Sequence, residues 1–408
     1  MKKSILAAAL LAATTAFAAA PSALDLTTPA GFQRSCAEMP VSAPRPAAAR
    51  QAPQGSQENS GAALRFLESA DSLPNDDARL AWVICRDVDQ VRDLITWGTR
   101  GMATLDKAHP SKEQVVAEVT RKVDELREQL RRSRLQLQRV QLGNRTSLLI
   151  APGQWQLDLN GNGQQEAWET WFFALPRPHD GASQPRLPDN DEDRYRREFD
   201  ANALIRLDQS DVLWALSYHQ FLEGLLTTVR AFDFDPDHGE LVLSRPALLR
   251  SAHGLIAAGL ATSEQLRRSV LAETDDEHEW VANPRQKSSV FPIPTTAADF
   301  ETWRALLQEL DAVWKGRHLL PTTRGARGLL ASTAPLCPAG QGLDVARLFK
   351  SPPPAGTRVG LDRMPALNNQ SCRTVDAAHP LSNLSTRLDR AASEAGGMAA
   401  LRYLYWVN

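Results

Sequence analysis

The chain has 408 residues, with 46 Lys and Arg against 48 Asp and Glu and a formal net charge of -2. That length is enough for one large core or two domains. The near balance of charge gives no reason to expect nucleic acid or an anionic membrane surface as a partner.

The first residues read as an export signal. Lys2 and Lys3 supply the charged region, Ile5 to Phe17 the apolar stretch, and Ala16-Phe17-Ala18 the small-x-small cleavage pattern. Cleavage after residue 18 places the mature protein in a bacterial periplasm or outside the cell. No later window approaches a membrane span. From 19 to 61 the composition turns to Ala, Pro, Ser and Gln, which reads as a linker or arm, its first part pinned by Cys36.

Helical patterning dominates the body, 62–319. Leu64 to Leu73 is a short amphipathic run. Asp76 and Asp77 can cap a longer helix carrying Leu80, Val83, Ile84, Val88, Val91, Leu94 and Ile95. Ser111 starts the clearest helix: Val116, Val119, Val123, Leu126, Leu130, Leu137 and Val140 recur in steps of three and four, with Ser133 as the one gap. The spacing predicts about 28 residues, roughly 42 Å. It is expected to pack as an antiparallel hairpin on its neighbour. Self-association through 116–140 as a coiled coil is the sharper alternative.

The most informative stretch follows, from Asp158 to Glu169. It fits D-x-[DN]-x-[DN]-G-x5-E at every constrained position. Calcium takes six to eight hard oxygen ligands. Asp158, Asn160 and Asn162 supply side-chain oxygens, Gly163 the sharp turn, Gln164 its carbonyl, Glu166 a water-mediated contact, and Glu169 two oxygens. The loop resembles an EF-hand over these residues alone, and is similar to lone loops of secreted bacterial proteins. It departs from one in two respects. The approach through Leu148 to Trp155, with Pro152-Gly153, is β-rich rather than helical, and position eight is Gln165 rather than apolar. The expected order is strand or coil, loop, then a helix over about Glu166 to Leu175. The competing interpretation is a polar turn that caps this helix without an ion. Sensor-type opening needs two helices, so a structural ion is the expectation.

Beyond a polar stretch, Pro176 to Arg197, a second long helix is expected over about Ser210 to Phe232. His219 and Glu223 share one of its faces, but no third ligand is visible and a buried or half-exposed histidine is expected. Asp233, Asp235 and Asp237 are spaced like ligands of a possible second metal site. The glycine there falls one place late, and Ser244 stands where Glu is needed. Leu248–Leu260 and Thr262–Leu271 look like separate helices, the second opened by a Thr262/Gln265 capping box. Asp189 to Asp193 and Asp275 to Glu279 read as solvated acidic runs. Asp299 to Trp314 is amphipathic, 320–380 looks irregular, and a last helix is expected from Leu384 to about Tyr403.

Four cysteines in an oxidising compartment point to disulfides, with three possible connectivities. Cys36–Cys85 and Cys337–Cys372 each close a loop of moderate length and are the expected pairs. No G-x-S-x-G, S-x-x-K, P-loop, G-x-G-x-x-G or C-x-x-C-H occurs. The expected fold is mainly α, a bundle-like body with one EF-hand-like loop and an irregular C-terminal segment. The expected function is that of an exported Ca2+-binding structural or interaction protein, its partner an unidentified protein or envelope component. The alternatives are a calcium-dependent envelope hydrolase, or a sugar- or peptide-binding protein using Trp155, Trp168 and Trp171.

Overall fold

The computed structural model describes residues 24–38, 73, 75–108, 110–142, 148–177, 192–290, 296–321, 337–360 and 370–388. The signal sequence, most of the arm, the Leu64 run up to residue 72, residues 178–191 and the C-terminal helix past residue 388 lie outside them. The fold is mainly α-helical, with the described strands in short pairs and one three-stranded sheet.

The body begins with a short helix inside the Ala/Pro-rich stretch, α1 (Pro29–Glu38), joined to the next helix by the Cys36–Cys85 disulfide. Helix α2 (Asp76–Ala108) and helix α3 (Lys112–Leu137) form an antiparallel hairpin. Its direction is fixed by Trp97 to Glu118, Asp93 to Lys122 and Asp87 to Ser133, pairs that run down one helix and up the other. Ser111 caps α3 with Gln114 as reciprocal partner, satisfying two otherwise orphaned donors.

The hairpin buries only part of the expected face, together with polar residues on and beside it. The apolar repeat of α3 is only partly covered, and Val119 remains 43% exposed, whereas Lys122, Ser133 and Gln136 are buried. Lys122 reaches Asp93, and Ser133 donates to Asp87 at 2.7 Å, so polar groups of α2 choose the contact face.

After β1 (Leu148–Ile150) come a 3-10 turn, the 158–169 loop and the short helix α4 (Ala167–Trp171). Strands β2 (Leu175–Pro176) and β3 (Phe199–Asp200) pair around helix α5 (Glu192–Glu198). Strand β4 (Ile205–Leu207) pairs antiparallel with β1 and leads into α6 (Gln209–Val229), which Asp208 caps. The hairpin β5 (Phe232–Asp235) and β6 (Glu240–Leu243) follows, with β8 (Thr357–Gly360) added alongside β6.

Next comes α7 (Pro246–Ala272), a single helix where the sequence suggested two. Thr262 and Ser263 are buried mid-helix, so they open no new element. The close fit to α6 explains the continuity. A Cβ at Gly259 would lie 2.7 Å from the Phe221 ring, one at Gly224 2.6 Å from Ile256, and Ser217 donates to the Gly259 carbonyl at 3.3 Å.

Helix α8 (Ala297–Trp314) packs on α7, and the described residues of 320–380 hold regular elements that the composition did not suggest. It contributes β7 (Gln341–Leu343), α9 (Val345–Lys350), β8 and β9 (Cys372–Thr374). The Cys337–Cys372 disulfide ties its β7–β9 pair together.

One core gathers Leu26, Phe32, Trp82, Val83, Leu137, Ile150, Trp155, Ile205 and Val212 around α1, α2 and the β1–β4 pair. A second lies between α6, α7 and α8 around Leu266, Val270, Phe300 and Trp303.

Candidate metal centre

The 158–169 loop is built as a set of local hydrogen bonds around one buried carboxylate. Glu169 is fully buried; its Oε1 accepts from the backbone N–H of Leu159 (2.8 Å) and of Asn160 (3.0 Å), and its Oε2 from that of Glu166 (2.9 Å). Asp158 accepts from the N–H of Asn162 (3.1 Å) and Gly163 (2.8 Å). Asn160 Oδ1 accepts from Asn162 at 2.9 Å, and Asn162 Oδ1 from Gln164 at 2.7 Å. Each polar side chain therefore bends the chain back over itself. Gly161 (φ 69°) and Gly163 (φ 82°) supply the left-handed turns that a side chain would strain. Glu166 accepts from the Asn160 side-chain amide (3.1 Å) and the Trp168 indole. Gln164 and Gln165 face solvent.

The donor types suit a hard cation: carboxylate, amide and carbonyl oxygens, with lone pairs left on Asp158, Asn160 and Asn162 beyond the hydrogen bonds they accept. The N–H groups of Gly163, Gly161 and Asn162 hold the Asp158 carboxyl below its ordinary range, with Arg92 adding a smaller pull, so it is ionised at neutral pH. The loop leans on the middle of α2, where Thr96 donates to the Leu159 carbonyl at 3.0 Å and Arg100 lies close to Gly161. As expected, a strand and coil lead in. The exit helix is shorter than its sequence span because the chain turns at Phe172 and Phe173 into β2.

Asp233, Asp235 and Asp237 fall on and beside the β5–β6 turn. Asp233 is bound by Arg245; Asp235 is bound by Arg358 at 2.8 Å and by His238 at 3.0 Å; Asp237 is exposed. Cations already answer the first two carboxylates. His219 and Glu223 part company as well, His219 facing Asp87 at 3.0 Å and Glu223 facing Arg134 at 2.6 Å. Trp155 is buried, stacked on Phe32 at 4.6 Å, with its indole N–H on the Leu26 carbonyl at 3.0 Å. Trp168 and Trp171 are half-buried, so the three form no solvent-facing row.

The acidic run 275–279 is where the fold departs furthest from the sequence reading. Glu279 is buried, 5% exposed, and sits with Asp208 and Glu273 so that one carboxylate oxygen of each lies within 4.8 Å of the others. Asp211, also buried, closes the group through the reciprocal cap of α6, accepting from the Asp208 N–H at 3.0 Å. Among the described residues this is the group of His, Cys, Asp and Glu spaced to hold a metal ion. Burial, followed by the neighbouring acids, pushes Glu273 up to about 9. Burial pushes Glu279 up to about 7, with Asp208, Asp275 and Asp276 adding to it. Burial likewise raises Asp208, and raises Asp211 well above its ordinary value. Glu273 thus keeps its proton at neutral pH, and it accepts from the Ser210 hydroxyl. No sequence motif marks this pocket, since its members come from the start of α6, the end of α7 and the loop after it. The nearest signal is the acid density at 273–279.

No family model matches the chain, and neither curated proteins nor solved structures show a similar one.

Proposed function

We propose that this is an exported calcium-binding protein with a structural or interaction role, the ion stabilising the fold around residues 158–169. Asp158, Asn160, Asn162, the Gln164 carbonyl and Glu169 hold the ion, with Glu166 acting through water. The observation that carries this reading is the arrangement of the loop, with Asp158, Asn160 and Asn162 folded over their own backbone above buried Glu169. Two disulfides among the described residues suit an oxidising compartment, which supports the periplasm or the exterior as the location. No helix among the described residues is long and apolar enough to cross a membrane. Extracellular calcium modules work with dissociation constants on the order of 10⁻⁴–10⁻³ M, and binding to the folded state alone adds directly to stability.

Thermal unfolding of chelator-treated protein, with calcium or magnesium restored, tests this. A calcium-selective rise in Tm that Asp158→Asn loses and Glu273→Gln keeps is the expected result. No rise at millimolar calcium sinks the proposal, and a rise lost only in Glu273→Gln moves the ion to the acidic pocket.

A further inference from the structure

A seam of polar groups runs between α2, α3 and α6, and the buried His219 is its centre. The ring is 7% exposed. Its Nδ1 lies 2.7 Å from the Ala215 carbonyl, an acceptor with no proton to give. Its Nε2 lies 3.0 Å from Asp87 Oδ2, at ion-pair distance though off the line of a good hydrogen bond. Both ring nitrogens therefore face acceptors, an environment that suits the doubly protonated imidazolium. The other oxygen of Asp87 takes the Ser133 hydroxyl at 2.7 Å, so this carboxylate joins all three helices.

Two further ion pairs cross from α3 to α6: Arg134 with Glu223 at 2.6 Å, and Asp124 with Arg230 at 2.7 Å. Arginine holds its charge throughout the accessible pH range. The charged groups facing His219 are then Asp87 from α2 and Glu223 on its own helix, the latter matched by Arg134 of α3. From the other side, α7 meets α6 through Leu255, Ile256 and Gly259.

We propose that the Asp87–His219 contact is a proton-dependent latch that fastens the α2–α3 hairpin to α6 and slackens as the medium turns alkaline. Burial alone pushes the imidazole toward the neutral form, but Asp87 and the Ala215 carbonyl outweigh it and raise the ring above its ordinary 6.5. A base held more firmly protonated in the folded state stabilises it fully below the unfolded value. That stabilisation is lost as pH rises through the folded value. Deprotonation leaves Asp87 with Ser133 alone, beside a hairpin that already exposes Leu94 and Val119.

The experiment follows the His219 ring by NMR in the full chain from pH 5 to 10. Alongside it, hydrogen exchange of α2 and α3 peptides, corrected for the intrinsic effect of pH, is compared with that of α8. In the wild type the ring midpoint is expected above 6.5, and the hairpin peptides alone should lose protection through that midpoint. Asp87→Asn should lower the midpoint by at least one pH unit, a tenfold change in proton affinity. His219→Gln should remove the pH dependence of the hairpin while leaving that of the Glu273 pocket. A ring midpoint at or below 6.5, a midpoint unmoved by Asp87→Asn, or loss of protection shared equally with α8 would each overturn the latch.

Discussion

Glu169 offers the sharpest test of how the 158–169 loop is held. Its carboxylate accepts three backbone N–H groups at 2.8, 3.0 and 2.9 Å in a fully buried position. Hydrogen bonds to a charged group contribute about 1.5–3 kcal/mol each. Glu169→Gln keeps one oxygen for Leu159 and Asn160, now as weaker neutral bonds, and turns an amide N–H toward that of Glu166. One charged bond is lost, two are weakened, and a donor meets a donor. The cost adds to about 2–4 kcal/mol. The hub acts without an ion, so the loss must appear in chelator-treated protein, read as a lower urea midpoint at neutral pH. A difference below about 0.5 kcal/mol in chelator, against the full charged-bond cost, would refute the hub. Glu169 would then matter only as a ligand.

Three other outcomes follow from packing and charge. Gly259→Ala drives a methyl into the Phe221 ring 2.7 Å away and should lower stability by about 1–3 kcal/mol, measured by denaturant unfolding. Gln136 is fully buried and neither amide atom finds a hydrogen-bond partner, so Gln136→Leu should leave stability unchanged or raise it by about 1–3 kcal/mol in the same assay. Glu273, with its folded value near 9 against 4.5, stabilises the fold below about pH 4.5 and loses that contribution progressively as pH climbs to about 9. Glu273→Gln mimics the protonated acid. Its unfolding free energy should exceed the wild type's increasingly between pH 7 and 9, and parallel curves would count against a protonated Glu273.

What could be read from the sequence was whatever is encoded within a few residues. The Ser111–Gln114 cap lies inside one helical turn, and the structure keeps it. Both cysteine pairings also hold. Periodicity located α3 and the burial of Leu137 and Val140 but not that of Lys122, which Asp93 on another helix makes possible. The break expected at Thr262 failed for a related reason: a capping residue buried against a neighbouring helix is simply part of the helix. The acidic pocket was hidden because Asp208 lies far in sequence from Glu273 and Glu279, and only the docking of α6 against the end of α7 brings them together. A local reading of 275–279 gives a solvated run, which is true of Asp275, Asp276 and Glu277 and untrue of Glu279.

The contact between Leu26 and Trp155 has a consequence for how the chain reaches this state. Leu26 is fully buried, bridges to Ile150, and receives the Trp155 indole across a separation of 129 residues. A ribosome delivers the first of these groups long before the second. Non-local contacts of this kind slow folding, because the entropy of closing a long loop is lost before the contact forms. In the oxidised chain the Cys36–Cys85 bond shortens that search by joining α1 to α2. Refolding of reduced protein should therefore lag at the step that seats Phe32 against Trp155, visible as a slow phase in tryptophan emission that the oxidised chain traverses faster.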